Sequence, residues 1–196
     1  MAGATDNGSL GEVTYLTGHL LIAMPAMADP NFVRSVTYIC EHTDQGALGI
    51  VINRPLEMAL GEVFQQLALE GAPAAVADQP VLRGGPVQGE RGFVLHEPAG
   101  KWDSTVEVSA FVHLTTSQDI LAALARGTGP KRALMALGYA GWGAGQLEME
   151  IGANAWLSVP ATATLLFDTP FEARWAAAAG LLGINLATMS PEAGHA

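Results

Sequence analysis

Short apolar runs broken by glycine and proline set the rhythm of this chain, and helical periodicity surfaces in few places. Gly18 to Pro25 (GHLLIAMP) predicts a strand that stops at the Met-Pro-Ala-Met-Ala-Asp-Pro loop. Val33 to Cys40 and Ala47 to Ile52 predict two more, joined by the turn-forming Thr43-Asp44-Gln45-Gly46. Leu60, Val63, Phe64 and Leu67 fall at helical spacing, with Gly71 as a stop signal. Residues 71 to 80 are rich in alanine and proline and read as a surface loop. Val81-Leu82, Gly92 to His96, Val106 to Val108 and Phe111 to Leu114 predict further strands. Ser117 is placed to cap a helix carrying Ile120, Leu121 and Leu124, which Gly127 ends.

The second half is more ambiguous. Ala133 to Leu137 favours helix by propensity, yet a short apolar run closed by Gly138 also suits a strand buried on both faces. Gln146 to Ile151 predicts a short helix with Leu147 and Ile151 inward and Glu148 outward. Ala155 to Ser158 and Thr164 to Phe167 read as strands. Thr169-Pro170-Phe171-Glu172 has the cap, proline and acid of a helix start, and that helix would bury Phe171, Trp175 and Ala178. Residues 1 to 11 read as a loose polar tail and 12–196 as one domain, without internal repeat or second core. Mixed strands and helices make the class α/β or α+β.

Composition narrows the partners. Hydrophobic residues make up 49% and charged residues 14%, against roughly 25% charged in ordinary chains, so the core is large. The net charge of −10 repels phosphate backbones and anionic lipid, so direct nucleic-acid binding and membrane association are not expected. One cysteine makes no internal disulfide, and no signal-peptide or membrane-spanning run is visible. A cytoplasmic protein is expected.

The sharpest chemical candidate is Cys40 with His42. Alternate strand residues share a face, which would place thiol and imidazole in one pocket, where an imidazolium favours the thiolate. The structural alternative carries more weight: Cys40 ends the apolar strand SVTYIC, where free cysteine packs as a small hydrophobe, and no partner acid is in view. Gly138, Gly141, Gly143 and Gly145, with Trp142, read as a turn before a helix, where bare amides could hold an anion. Their spacing is neither G-x-G-x-x-G nor a P-loop. Arg83-Gly84-Gly85-Pro86 is a second tight turn with a cation beside it, and Arg54 also follows an apolar strand. Both glycine sets can equally serve turns and close packing. His19, His96 and His113 lack metal-ligand spacing, so no metal or cofactor is expected, and there is no G-x-S-x-G elbow.

The blocks FVRSVTYICEHTDQGALGIVINRP, LRGGPVQGERGFVLH and GYAGWGAGQLEMEI, with GHLLIAMP, LLFDTPFEARW and the closing MSPEAGHA, give the chain its kinship. It resembles the YqgE/AlgH family of bacterial proteins over nearly its whole length. The resemblance implies a three-layer α/β arrangement, a mixed sheet strongly bent into a pseudo-barrel flanked by helices, and a strand at Ala133 to Leu137. Some relatives are labelled transcriptional regulators, but no helix-turn-helix or basic recognition helix is visible. The family transfers no catalytic residue.

The expected function is therefore a binding or regulatory module for a small anionic ligand or a protein partner. Its candidate contacts are Arg54, Arg83, Gly84, Gly85, Gly138, Gly141, Trp142, Gly143 and Gly145. The alternative is a thiol-dependent enzyme or redox sensor using Cys40 and His42; direct transcriptional regulation stands third, on the family label alone. Oligomeric state is not legible.

Overall fold

The first apolar runs form β1 (His19–Ala23), β2 (Val36–Thr43) and β3 (Gly46–Val51), the last two as the expected hairpin. The computed structural model describes residues 14–189; the tail at 1–11 and the chain end beyond Met189 lie outside the described residues. β4 (Pro55–Ala59) leads into α1 (Leu60–Gln66), and the single turn α2 (Ala74–Ala77) precedes β5 (Pro80–Arg83) and β6 (Val87–His96). β7 (Thr105–Ser109) and β8 (Val112–Thr115) form a second hairpin before α3 (Asp119–Ala125). The chain continues through β9 (Ala133–Gly143), α4 (Gln146–Gly152), β10 (Trp156–Pro160) and α5 (Arg174–Gly180).

One ten-stranded sheet runs β10-β1-β2-β3-β9-β6-β8-β7, with β5 alongside β9 and β4 beyond it. Its pairings are antiparallel except β5 with β9, which is parallel. The long strand β9 joins the two halves: residues 133–139 pair with β6, and 140–143 pair with β3. The sheet curls strongly into a half-barrel, so that Tyr38 of β2 donates to the Ser109 hydroxyl at the end of β7 (3.4 Å). Leu20, Tyr38, Ile50, Phe93, Leu95 and Leu114 fill the concave core, which α5 enters through Ala178 and Ala179. On the outer face, α1 and α3 cover Val94 and Met135. α4 covers a third cluster around Leu21, Ile39 and Trp142.

Four local expectations are corrected. Thr164 to Phe167 is not a strand but part of a π-helical turn over Thr164–Asp168. Leu165 and Leu166 are both buried; a helical turn can bury two neighbours, whereas strand alternation would expose one. Residues 71–80 are not all loop: Pro73 before four small or apolar residues starts α2, its carbonyl accepting from the Val76 and Ala77 N–H groups. Ser117 does not cap α3. Its hydroxyl accepts from the Ser104 N–H (3.0 Å) and donates to Asp119 (2.5 Å), tying the helix to the β7 approach. Thr169 likewise donates to the Thr164 carbonyl (3.1 Å) instead of capping α5.

Candidate functional site

A β-bulge separates Cys40 from His42. Ile39 pairs with Gly49 and Glu41 with Leu48, so Cys40 is the extra residue and the side-chain phase flips across it. Cys40 therefore joins the concave core with Tyr38, its sulfur 3.9 Å from the Tyr38 carbonyl. His42 lies with the α4 cluster instead. Its Nδ1 accepts from the Leu16 N–H (2.9 Å), which leaves the proton on Nε2, donated to Glu148 (2.8 Å). The Glu148 N–H, and then the His42 ring, hold the Glu148 carboxyl below the usual carboxylate range. Glu148 thus points outward as expected, yet it fastens α4 to β2. Burial pushes the Cys40 thiol well up, with the Glu41 charge adding to the effect. Brief iodoacetamide treatment near neutral pH is expected to leave Cys40 unmodified in the native protein and to alkylate it once denatured, as read by mass spectrometry. Rapid native alkylation would restore the thiol-enzyme alternative.

The glycine-rich stretch at 138–145 is mostly strand. Gly141 pairs with Leu48 and Gly143 with Gly46, and the chain turns only at residues 144–145. The Gly143 N–H is taken by the Gln146 side chain (3.0 Å), which in turn donates to Glu150 (3.0 Å). The same Glu150 accepts from the indoles of Trp142 (2.9 Å) and Trp156 (2.8 Å), while Phe32 packs against both rings. Trp142 is therefore a buried tie between β9 and α4. A shallow depression of about 230 Å³ beside it is lined by Glu41, Thr43 and Gln45, an acid where an anion cradle needs a cation.

Elsewhere the fold does bring the sequence candidates together. β4 and β5 align so that the Arg83 N–H donates to the Arg54 carbonyl (2.8 Å). Arg54 spends its guanidinium on the carbonyls of Pro30 (2.9 Å) and Val33 (2.7 Å), holding the loop before β2. Burial, then the Arg83 charge, lowers its pKa, while Asp29 opposes the shift. The Gly84 N–H donates to the Leu137 carbonyl and its own carbonyl accepts from Val51 (both 2.8 Å). Gly85 and Gly138 touch backbone to backbone: a Cβ on Gly138 would lie 2.5 Å from the Gly85 carbonyl oxygen. These glycines let β5, β6 and β9 converge. Arg83 itself is exposed and makes no ion pair among the described residues.

A well-formed, mainly apolar groove adjoins this point. Helices α1 and α3 leave an opening of about 490 Å³ over the outer face of β6, β8 and β9. Val94, Met135 and Leu137 form its floor; Val63, Leu67 and Leu121 form its walls. Thr115 to Gln118 and Arg91 supply a polar edge, with Glu90 beside Arg91. β6 shapes this rim. It pairs with β9 at Val87–Tyr139 and again at Gly92–Leu137, so residues 88–91 bulge out as an exposed excursion, with Gln88 at φ 46°. Behind the edge, the His96 Nδ1–H donates to the Glu97 carbonyl (2.8 Å), so Nε2 accepts from the Thr115 hydroxyl (2.8 Å). Thr105 then donates to Thr115 (2.9 Å). Burial lowers the His96 pKa, in keeping with this bare Nε2. A second cavity of about 340 Å³ lies alongside, lined by Leu56, Arg83, Gly85 and Pro86 and sharing Gly89 and Leu137 with the first. Among the described residues no cluster of three potential metal ligands occurs, and no helix is long and apolar enough to cross a membrane.

The fold is thus that of a curled mixed α/β domain with an outer-face groove. The chain belongs to the AlgH-like family, whose profile matches residues 20–187. It is 54% identical over 182 residues to a UPF0301 protein of Nitrosococcus oceani, covering 93% of this chain and 97% of that one. A UPF0301 protein of Saccharophagus degradans is 56% identical over 186 residues, covering 95% and 91%. The solution structure of the AlgH protein from Pseudomonas aeruginosa matches with a TM-score of 0.76 at 52% identity, covering 95% of this chain and 98% of that one. A crystal structure from Corynebacterium diphtheriae shares the fold, with a TM-score of 0.62 at 22% identity over 79% of this chain and 80% of that one.

Proposed function

We propose that the protein is a small-ligand-binding regulatory module whose ligand lies in the groove between α1, α3 and the outer face of β6, β8 and β9. One observation carries this: an apolar floor and walls meet a polar rim, Thr116, Gln118 and Arg91 with Glu90 and Gln66, around an opening of about 490 Å³. That combination gives a ligand both burial and a fixed orientation. The bulge at Cys40 weighs against the thiol-enzyme alternative, because it sends thiol and imidazole into different clusters. The net charge of −10 weighs against direct contact with duplex DNA.

Leu67 is half-buried on the groove wall, so a larger side chain there can fill the opening without overpacking the core. Fragments found by ligand-observed nuclear magnetic resonance are expected to bind Leu67→Trp at least about tenfold more weakly, a loss typical of removing one good apolar contact surface. Fragments that bind the folded variant unchanged would move the site elsewhere.

A further inference from the structure

The two cavities meet at Gly89 and Leu137, and each has its own arginine. Accepting the groove as the ligand site, we propose that its ligand is an elongated amphipathic anion: an alkyl chain in the larger groove, and a terminal carboxylate beyond Gly89 at Arg83.

Charge placement decides the direction. The chain has nine basic residues against nineteen acidic ones, yet Arg83 and Arg91 both line this one trough, with Arg54 joined to Arg83 through the backbone behind it. Arg54 is committed to two carbonyls, so its charge adds to the local field while its donors are occupied. Arg83 is exposed beside it, repelled by it, and makes neither an ion pair nor a side-chain hydrogen bond among the described residues. Asp29 acts on Arg54, but no acid pairs with Arg83 among the described residues; an incoming anion would relieve the repulsion, and a guanidinium fork suits a carboxylate. The Arg91 end differs: Glu90 stands next to it in the same wall, and its guanidinium sits 5.1 Å over the Phe93 ring.

Shape agrees with charge. Leu137 and Leu56 continue the apolar surface toward Arg83, and Gly89 keeps the junction open, with nothing within 4 Å of where its Cβ would be. A short ligand would fit the larger groove alone. An alkyl carboxylate running from Leu121 past Leu137 reaches the unpaired cation.

Calorimetric titration with decanoate and with 1-decanol tests this. Decanoate is expected to bind more tightly than the alcohol. Arg83→Gln should weaken decanoate about tenfold or more, as expected for losing a charge-assisted hydrogen bond, and leave 1-decanol unchanged. Gly89→Phe, which plugs the junction, should abolish decanoate binding and spare 1-hexanol in the larger groove. If Arg91→Gln removes the preference for the anion and Arg83→Gln does not, the head lies in the larger groove: the extension fails and the groove itself stands. If neither ligand binds the wild-type protein, or Leu67→Trp leaves both unaffected, the groove assignment fails as well.

Discussion

Replacing Arg174 by alanine is expected to cost about 3–5 kcal/mol of folding stability, read as a lower midpoint in urea denaturation. Arg174 is 2% exposed and is among the largest buried side chains of the described residues. Its Nη1 donates to the Ile52 carbonyl at the end of β3 (2.6 Å), its Nε donates to the Thr169 carbonyl (2.9 Å), and the guanidinium lies 4.4 Å over the Phe171 ring. Burial lowers its pKa to about 10, partly offset by Asp168, so it keeps its proton at neutral pH. Alanine would strand the buried Ile52 carbonyl, at roughly 1–3 kcal/mol, leave the half-buried Thr169 carbonyl without its donor, and open a cavity. Lysine cannot serve both carbonyls from one fork and should recover only part of the loss. A change under about 1 kcal/mol in the alanine variant would show that Arg174 is not the tie between α5 and the sheet.

Gly85→Ala carries the second large effect, a loss of more than about 3 kcal/mol or failure to accumulate folded protein. Gly85 has φ 156°, and a Cβ there would overlap the backbone of Tyr139 and Ala140. No side-chain rearrangement relieves a backbone clash. The contrast is Gly145→Ala: φ there is 73°, but the space around the Cβ is open, so only the left-handed penalty of about 1–2 kcal/mol applies. Equal losses at the two positions, measured by denaturation, would mean that β5, β6 and β9 do not converge as closely as this.

Both effects rest on features of unequal legibility. The apolar runs around the Thr43–Gly46 turn announce their hairpin because turn chemistry and alternation are local. The bulge at Cys40 is not local: it is set by how Gly49 and Leu48 meet the strand, and one extra residue reverses the face on which His42 falls. The Arg83-Gly84-Gly85 turn stands out by composition, and it does border the trough. Its glycines serve strand convergence, and Gly138 does the same from β9, while Gly141 and Gly143 are paired strand residues. The groove itself is a gap between two helices and a sheet. Leu67 and Leu121 read as core, and Ser117 reads as a cap, because helical spacing reports a buried face without saying whether its partner fills it. The excursion at residues 88–91 had a signal, one glycine and two charges inside a strand that is apolar further on, that alternation alone does not interpret.

Amide chemical-shift mapping of the nitrogen-15-labelled protein during titration with decanoate tests the groove assignment most directly. Saturable shifts are expected at Gly89, Gly92, Thr116, Leu121, Met135 and Leu137, the residues around the groove and its junction. Saturable shifts gathered instead at Gly143 to Gln146, or no saturable shift at any amide, would contradict it.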